Sequence, residues 1–309
     1  MSSDDTAGQW QTAPLVAAAT LILSASFGAA QAADVVANFS GLSMTDTQRL
    51  NGFRVAPPDT DGAIGINSFV EFINGGFAVY NRNGTLAAPA ISDSQFWLNA
   101  GVSSTLVNQS LTDPRIKYDP VSQRWFASEI TTPSVNNSVL IAVSATSNPL
   151  GAWSSTSYVA PSNLFADYPT LNVDANAVYI GTNNFSLSGS VYSNSGVTLT
   201  SIPKNSLLAV APTTTGAATF TQANSAMGFT PQAPTNYGTG YTGTKVVAIS
   251  ATAFHQAKVT PLNNTGAAGA TLGALSTVAI TFDSNPLSAH QPNGTRNIDT
   301  LDDRFSGTI

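Results

Sequence analysis

Residues 61–80, with the sequence DGAIGINSFVEFINGGFAVY, are the stretch that decides the fold. Two runs of strand-forming residues, 69–73 and 77–80, flank a glycine-rich turn at 74–76. Two such runs joined by a short glycine turn are typical of a β-hairpin. The stretch therefore predicts an antiparallel sheet whose first strand begins near Asp61.

The same order of acid, strand, turn and strand returns twice along the chain. The second copy opens at Asp113 and the third at Asp167, so the opening acids are 52 and 54 residues apart. The strand-forming runs of these two copies occupy residues 115–118, 124–128, 139–143, 170–173, 177–181 and 197–202. A period near 50 with about four strands per unit is typical of the blades of a β-propeller.

A looser fourth copy keeps strand-forming runs at 245–249 and 277–280. The repeating units begin near Asp61, Asp113, Asp167, Phe229 and Asp302. This pattern predicts an all-β fold, a β-propeller of four-stranded blades with about four and a fraction blades present. An ordinary β-sandwich with accidental similarity between its parts is the alternative. Because a fifth blade would hold only its first strand, we expect residues 33–309 to be a propeller domain that is incomplete at its C-terminus.

The first 32 residues have the features of a signal peptide. Residues 13–30 are apolar and uncharged, and Ala30-Gln31-Ala32 is a small-x-small cleavage pattern. The segment before them carries two acids and no Lys or Arg, which departs from a standard signal peptide. A membrane anchor is the alternative, since a spanning helix needs about 17–25 residues. We expect export, with a secreted or cell-surface mature protein that has no membrane span.

Composition excludes several classes of site. The chain has no cysteine and only two histidines, so disulfides, thiolate metal sites, a cysteine nucleophile and a three-histidine zinc site are excluded. The formal charge is −6 with only 11 Lys and Arg, so we expect no nucleic-acid partner. Charged residues make up 9% of the chain, which suits short strands joined by polar turns better than surface helices. An exported protein without cysteine suggests a bacterial source.

Four motifs resemble those of a group of bacterial secreted β-propeller proteins. They open the first, second, third and fifth units and lie at 57–65 (PPDTDGAIG), 113–116 (DPRI), 167–171 (DYPTL) and 301–304 (LDDR). Members of this group are often surface proteins with an exosortase-type sorting tail. The resemblance therefore implies a propeller at the cell surface, and it implies little about activity.

Residues 147–153, SNPLGAW, are distantly similar to the Asp-box hairpin of sialidase-type propellers. The Asp-box has an acid where Pro149 stands, and its tryptophan lies one residue later than Trp153. Because the sequence departs at both points, a structural role for Trp153, packing a hairpin between blades, is the better interpretation.

The candidate catalytic residues are Glu71, Asp113 and Asp167. A glycoside hydrolase needs two carboxylates about 5–10 Å apart, and Glu71 with either aspartate could supply them. The alternative is structural: the repeated aspartates accept backbone N–H bonds between blades. For Glu129 we expect an exposed position on a strand.

The candidate ligand-binding residues are Arg115, Arg304, Tyr237 and Tyr241. A sialidase-like site needs three arginines around a carboxylate, and Arg124 would be the third. Arg115 could instead pair locally with Asp113. The two tyrosines could stack on a sugar, and they fall within residues 212–243, which we predict to be a long surface loop.

Calcium is the only cofactor that the sequence suggests. Asp59 and Asp61 stand two residues apart beside a glycine, and such spacing lets both carboxylates reach one hard cation. No further ligand follows at the expected positions, so an Asx turn that starts the first strand is the alternative.

Together these features predict an exported, non-catalytic binding propeller at the cell surface or outside the cell. Its partner would be a glycan or a surface protein. The alternative is a glycan-acting hydrolase of the sialidase-like propeller type.

Overall fold

The computed structural model describes residues 37–132 and 134–281, together with residues 35, 284, 286–291, 294, 295, 297, 300, 304 and 305. The predicted signal peptide, residues 1–32, and the acids Asp302 and Asp303 lie outside the described residues. In the part of the chain that is described, no helix is both long and apolar enough to cross a membrane.

Four antiparallel sheets follow one another along the chain. Sheet 1 holds β1 (Asp61–Ile64), β2 (Ser68–Ile73) and β3 (Gly76–Asn81). Sheet 2 holds β4 (Leu111–Asp119), β5 (Arg124–Thr131), β6 (Ser138–Ser144) and β7 (Trp153–Val159). Sheet 3 holds β8 (Phe165–Asp167), β9 (Asn172–Val173), β10 (Ala177–Ser188), β11 (Val191–Pro203) and β12 (Ala218–Gln222). Sheet 4 holds β13 (Phe229–Gln232), β14 (Gly243–Ile249), β15 (Gln256–Asn263), β16 (Thr271–Leu272) and β17 (Ser276–Ala279).

The chain is an all-β propeller, as the repeat predicted, and the sheets are its blades. Sheet 2 has four strands in sequence order. Sheets 3 and 4 also have four strand positions, because β8 and β9 share one edge of β10, and β16 and β17 share one edge of β15. Sheet 1 has three strands, and isolated bridges at Leu86 and Ile91 border β3 where a fourth would lie.

Short helices fill the spaces beside the blades. They are α1 (Met44–Asn51), α2 (Asp93–Asn99), α3 (Ser104–Val107), α4 (Lys204–Leu207) and α5 (Asn224–Met227). Helix α2 brings Phe96 and Trp97 into the wedge between sheets 1 and 2, where both rings are buried. Ser43 and Asp46 form a capping box at the start of α1, and Gly52 ends this helix in the left-handed region.

Three apolar clusters lie between successive blades. Aromatic rings dominate the first, between sheets 1 and 2, whereas aliphatic side chains dominate the second, between sheets 2 and 3. A third cluster joins sheets 3 and 4. Strands β5 and β6 are buried almost throughout because both faces of sheet 2 are covered. Alternate residues of one strand therefore pack against different neighbours.

The prediction of one long surface loop over residues 212–243 is wrong. This segment contains β12, the outer strand of sheet 3, then α5, and then β13, which opens sheet 4. Its Thr- and Ala-rich composition hid β12, whose burial alternates as expected for an edge strand. The loop that does occur here is shorter and joins β13 to β14.

Candidate functional site at the inner strands

Each blade has one non-glycine residue with a left-handed backbone, and this residue lies within or beside the first strand of the blade. These residues are Asp59, Asp113, Tyr168 and Thr230, with φ of 39°, 58°, 53° and 54°. In sheets 2 and 4 the pairing of the first strand with the second shifts register at this residue. In sheet 3 the residue, Tyr168, lies between β8 and β9. Such bulges redirect the side chains of a strand. The repeat thus builds the same bend at the same end of every blade.

A relay of hydrogen bonds connects these bends across blades 1, 2 and 3. Asn74 follows β2 and donates from Nδ2 to Asp59 Oδ2 at 2.6 Å. Its Oδ1 accepts from Asp113 N at 2.8 Å. Asp113 Oδ2 in turn accepts from Tyr168 N at 3.0 Å. The side chain of Asp113 therefore does what the structural interpretation of the repeated acids described.

Asp61 makes the same kind of bond one blade earlier. Its Oδ2 accepts from Ile116 N at 2.9 Å, and its Oδ1 accepts from Gly62 N at 2.9 Å. Asp61 and Asp113 each accept from a backbone N–H 55 residues further along the chain, in the first strand of the next blade or beside it. Asp61 thus joins the inner strands of blades 1 and 2, and Asp113 joins those of blades 2 and 3.

Burial and crowding change the protonation of the acids at these bends. Asp113 is 8% exposed, and burial raises its pKa to about 7, helped by the charge of Asp167 and by the hydrogen bond and charge of Asp59. The Arg115 charge acts in the opposite direction. Burial also raises the pKa of Asp167, while the backbone of Tyr168 and the charge of Arg304 lower it. Asp113 can therefore hold a proton close to neutral pH.

Arg115 and Arg304 lie against the same aromatic ring, and their role in binding a ligand stays a prediction. The guanidinium carbon of Arg115 lies 4.9 Å from the centroid of the Tyr168 ring, and that of Arg304 lies 4.6 Å from it. Arg115 Nε also donates to Pro169 O at 3.0 Å, which fixes its position. Arg304 reaches the Phe229 ring as well, at 5.3 Å. Tyr168 is thus the centre of a cationic and aromatic cluster between blades 2, 3 and 4.

A cleft of about 40 Å³ opens beside this cluster. Its lining combines both charge signs, an aromatic ring and side-chain amides, and consists of Asp61, Arg115, Lys117, Tyr168, Thr170, Leu171, Asn172 and Gln232. Lys117 lies on the same face of β4 as Arg115, since the two are separated by one residue. Within the described part of the chain its ammonium group makes no hydrogen bond or ion pair. It is therefore a cation that is available to a ligand.

Glu71 does not join this cluster. Its Oε2 accepts from Leu42 N and from the Tyr80 hydroxyl, both at 2.8 Å. Val70 and Phe72 face the core between sheets 1 and 2, so Glu71 points from β2 to the opposite face. The structure thus places this candidate under the segment that precedes α1, where it secures that segment to blade 1.

Tyr237 and Tyr241 lie at the other end of the inner strands. The Tyr237 hydroxyl donates to Tyr118 O at 3.2 Å, and Tyr241 O accepts from Asn176 Nδ2 at 2.5 Å. Tyr118 is three residues beyond Arg115 on β4, which corresponds to about 10 Å. The two residues are 47% and 61% exposed. They are therefore available to a ligand, but at a different place from the arginines.

The third arginine of the sialidase-like arrangement is elsewhere. Arg124 begins β5, and its Nη1 donates to Ser144 O at 2.7 Å. It lies opposite Asp119 in the sheet ladder, at the end of β4 remote from Asp113. Arg115 and Arg304 thus form a pair of arginines without Arg124.

Asp59 and Asp61 bind different partners. The carboxylate of Asp59 holds Asn74, while both oxygens of Asp61 accept backbone N–H bonds. Among the described residues, no three His, Asp or Glu side chains converge in a way that could hold a metal ion. Calcium binding at this pair stays a prediction.

Trp153 has the structural role that its sequence context favoured. Its Nε1 donates to Pro149 O at 2.9 Å and closes the hairpin between β6 and β7. Its ring contacts Phe96 of α2 and Phe77 of β3, with centroids 5.1 and 6.2 Å apart. The hairpin of blade 2 is thereby packed against blade 1.

Sequence reasoning missed several buried polar residues. The expectation that Glu129 is exposed is wrong, because it is fully buried, and its Oε2 accepts from the indole nitrogen of Trp97. Burial raises its pKa well above the usual range, and the Asp93 charge adds to this. Lys204 Nζ forms a buried ion pair with Asp119 Oδ2 at 2.8 Å between blades 2 and 3. Strand periodicity does not reveal these contacts, because they join side chains that are distant in sequence.

No family model matches the chain, and no curated protein matches it. Solved structures show remote likeness. An ACO/RPE65 chimera has a TM-score of 0.41 at 11% identity, over 71% of this chain and 47% of that one, so this chain spans about half its length. A GH43 endo-arabinanase from Bacillus licheniformis has a TM-score of 0.37 at 16% identity, over 69% and 73% of the two chains. An exo-β-1,3-galactanase from Clostridium thermocellum has a TM-score of 0.32 at 8% identity, over 73% and 49%.

Proposed function

We propose that this protein is an exported, non-catalytic binding propeller and that its ligand is a glycan. One observation carries the proposal: Asp59, Asp61 and Asp113 are engaged in bonds that join blades, whereas Lys117 and the ring of Tyr168 border an open cleft. A site that presents donors and an aromatic ring, with its carboxylates already engaged, is suited to holding a ligand rather than to cleaving it.

The chemistry of the cleft matches that of a sugar surface. Arg115 and Lys117 donate hydrogen bonds to hydroxyl or carboxylate oxygens, and the amides of Asn172 and Gln232 can both donate and accept. The Tyr168 ring, against which both guanidinium groups pack, adds an aromatic edge and a hydroxyl that can donate and accept. A cleft of about 40 Å³ admits part of one sugar unit, so the remainder of the glycan would lie outside it.

The proposal is tested with Lys117→Ala. We expect the wild-type protein to bind at least one member of a panel of neutral and acidic polysaccharides in affinity electrophoresis. Lys117→Ala should weaken that binding about tenfold, because the freely available cation is lost. Lys245→Ala is the matched control, since Lys245 is exposed on β14 of the fourth blade. Equal affinity of Lys117→Ala and wild type would contradict the proposed site.

A glycan-acting hydrolase is the second candidate, and the protonation of Asp113 favours it. Two neighbouring acids of which one keeps its proton near neutral pH are the arrangement that glycosidases use. If the bound glycan is cleaved, release of reducing ends will be detected, and Asp113→Asn will abolish it. Binding without release of reducing ends would remove this candidate and support the first.

Export is part of the same proposal. It rests on the apolar segment at 13–30 and the Ala30-Gln31-Ala32 pattern. Expression of the full chain in a bacterial host should release a mature protein that begins at Ala33. N-terminal sequencing of the extracytoplasmic fraction tests this, and an intact N-terminus retained inside the cell would contradict it.

A further inference from the structure

A second cavity, of about 300 Å³, lies in the wedge between blades 2 and 3. One wall comes from sheet 3 and carries hydroxyl groups, those of Thr182, Thr198, Thr200 and Thr219. The opposite wall comes from sheet 2 and includes Val139 and Tyr158. Thr219 is exposed on the outer strand β12, so the cavity is accessible from the surface.

The position of these threonines makes their hydroxyls unusual. They lie on the same face of sheet 3 as Ile180 and Ile202, which belong to the apolar cluster between blades 2 and 3. Rings such as Phe96 and Trp153 line the corresponding wedge between blades 1 and 2, where a cavity of about 250 Å³ has aromatic rather than hydroxyl-bearing walls. Valine would fill the space of a threonine equally well, and a buried hydroxyl costs free energy unless it is hydrogen-bonded. Hydrogen bonds within sheet 3 offset that cost, and the positions that they leave unused face the cavity.

The hydroxyls retain capacity for such an occupant. Thr182 Oγ1 donates to Asn184 Oδ1 at 3.3 Å, and Asn184 Nδ2 donates to Thr198 Oγ1 at 2.8 Å. Thr198 Oγ1 also lies 3.0 Å from Thr221 Oγ1, and Thr200 Oγ1 lies 3.4 Å from Thr219 Oγ1. Each hydroxyl has one donor and two acceptor positions, so these bonds leave several unused. The Tyr158 hydroxyl lies next to Thr200 on the other wall. The cavity therefore offers hydroxyl groups on both sides.

We propose that this cavity binds a single sugar unit or a small polyol. No charged side chain lines it, which favours an uncharged ligand. Its volume is at the lower end of the range of about 300–1,000 Å³ for small-molecule sites. A ring with hydroxyls at its edge and an apolar face matches the threonines on one wall and the Tyr158 ring and Val139 on the other. This site is separate from the cleft at Tyr168 and does not depend on it.

The test uses ligand-observed NMR saturation transfer with D-glucose, D-galactose, D-mannose, N-acetylglucosamine and glycerol. We expect at least one of these probes to bind. Thr200→Val keeps the volume and removes the hydroxyl, and it should weaken that binding at least tenfold. Thr244→Val, which makes the same change on β14 of the fourth blade, should leave it unchanged. Lys117→Ala should also leave it unchanged, which separates this site from the cleft.

A second variant guards against a loss of folding. Thr219→Trp places a large ring at the exposed mouth of the cavity, without altering the buried wall, and should abolish the binding while the melting temperature is retained. The proposal is overturned if none of the five probes gives saturation transfer. It is also overturned if folded Thr200→Val and Thr219→Trp bind as tightly as the wild-type protein.

Discussion

The carboxyl group of Asp113 both joins two blades by a hydrogen bond and titrates near neutral pH. It accepts a hydrogen bond from the backbone of Tyr168, yet it is 8% exposed and lies close to Asp59 and Asp167. Burial of several acids together makes ionisation unfavourable, which is why the pKa of Asp113 is raised to about 7. In the folded protein the protonated form of Asp113 is therefore favoured over the ionised form up to about pH 7.

This arrangement predicts how stability depends on pH. In the unfolded chain Asp113 loses its proton near pH 4, whereas in the folded protein it does so near pH 7. Between these values the folded state binds more protons, so the free energy of unfolding falls as the pH rises. Asp113→Asn cannot ionise, and its amide oxygen can still accept from Tyr168 N. We expect the variant to gain stability relative to wild type from pH 5 to pH 8, by at most about 1.4 kcal/mol per pH unit.

Urea unfolding at pH 5, 6, 7 and 8 measures this difference. Asp46→Asn is a control with the opposite sign, because hydrogen bonds from Ser43 lower the pKa of Asp46 at the start of α1. Its stabilising effect is present above the unfolded pKa and is lost as the pH falls through the folded pKa. Asp46→Asn should therefore be less stable than wild type at pH 7, and this difference should shrink when the series is extended to acidic pH. Parallel pH profiles for wild type and Asp113→Asn would show that Asp113 is ionised throughout.

At the residue scale, the sequence predicts the acids that join blades only where those acids recur in the repeat. Asp61 and Asp113 stand out because they recur at the same place in their units, and both join blades. Glu129 occurs once, on a strand whose two faces are both covered, so alternation could not show that it is buried. Lys117 was not singled out, because a lone lysine on a strand gives no signal until the blades are arranged around it.

At the scale of the elements, buried asparagines link neighbouring blades. Asn74 joins blades 1 and 2, and Asn183 joins blades 3 and 4 by accepting from Thr230 N and donating to its hydroxyl. Asn137, in the connection between β5 and β6, joins blades 2 and 3. It donates to Ala166 O and accepts from Ala166 N, both at 2.9 Å. The amide of an asparagine side chain can bond to a backbone N–H and a backbone C=O of the neighbouring blade simultaneously, which explains why asparagine occupies these positions.

Removal of one such amide should weaken the contact between two blades. Asn137→Ala leaves the buried N–H and C=O of Ala166 without these partners, and a buried polar group without a partner costs about 1–3 kcal/mol. We expect a loss of stability of at least that size in urea unfolding. Asn108→Ala is the control, because Asn108 is exposed at the end of α3. Equal destabilisation by the two substitutions would argue against a linking role for Asn137.

A glycine on β10 provides a second test of blade contact. A Cβ atom at Gly181 would collide with the carbonyl oxygen of Pro231 on β13, so the two inner strands can approach only where a side chain is missing. We expect Gly181→Ala to destabilise the protein by about 1–3 kcal/mol in urea unfolding, the usual effect of overpacking. At Gly266 the nearest atoms would be 3.4 Å away, so Gly266→Ala serves as the control. A Gly181→Ala variant as stable as this control would mean that the strands can separate without cost.

Hairpins and the apolar central strands were predictable from sequence, whereas the edge strand β12 and the helices were not. The runs at 69–73 and 77–80 correspond to β2 and β3, because the turn at Gly75 requires a left-handed backbone and so fixes the register. Strand β12 was not predicted because it is an exposed edge strand, and its threonines are equally common in loops. Helices α1 and α2 were missed although Ser43 and Ser92 cap them, since both are too short to show a helical period.

For the whole molecule, each described blade is stabilised mainly by its neighbours in the sequence. The contacts between inner strands and the three apolar clusters join successive blades, as in other repeat architectures. Sheet 2 has an apolar cluster on each face, which leaves β5 and β6 almost completely buried. All four residues of β17 are exposed. Local stability should therefore differ strongly among the blades.

Amide hydrogen exchange followed by mass spectrometry can measure this gradient. We expect the slowest exchange in β5 and β6, since their opening requires that both adjoining clusters be disrupted and therefore approaches global unfolding. The fastest exchange among the strands should occur in β17, whose amides can open without exposing apolar surface. Asn137→Ala should accelerate exchange in sheets 2 and 3 more than in sheet 1, because it affects the interface between those two blades. Uniform amide exchange rates across all four sheets would instead mean that the blades unfold as one cooperative unit. The linking residues would then stabilise the whole molecule rather than single interfaces between blades.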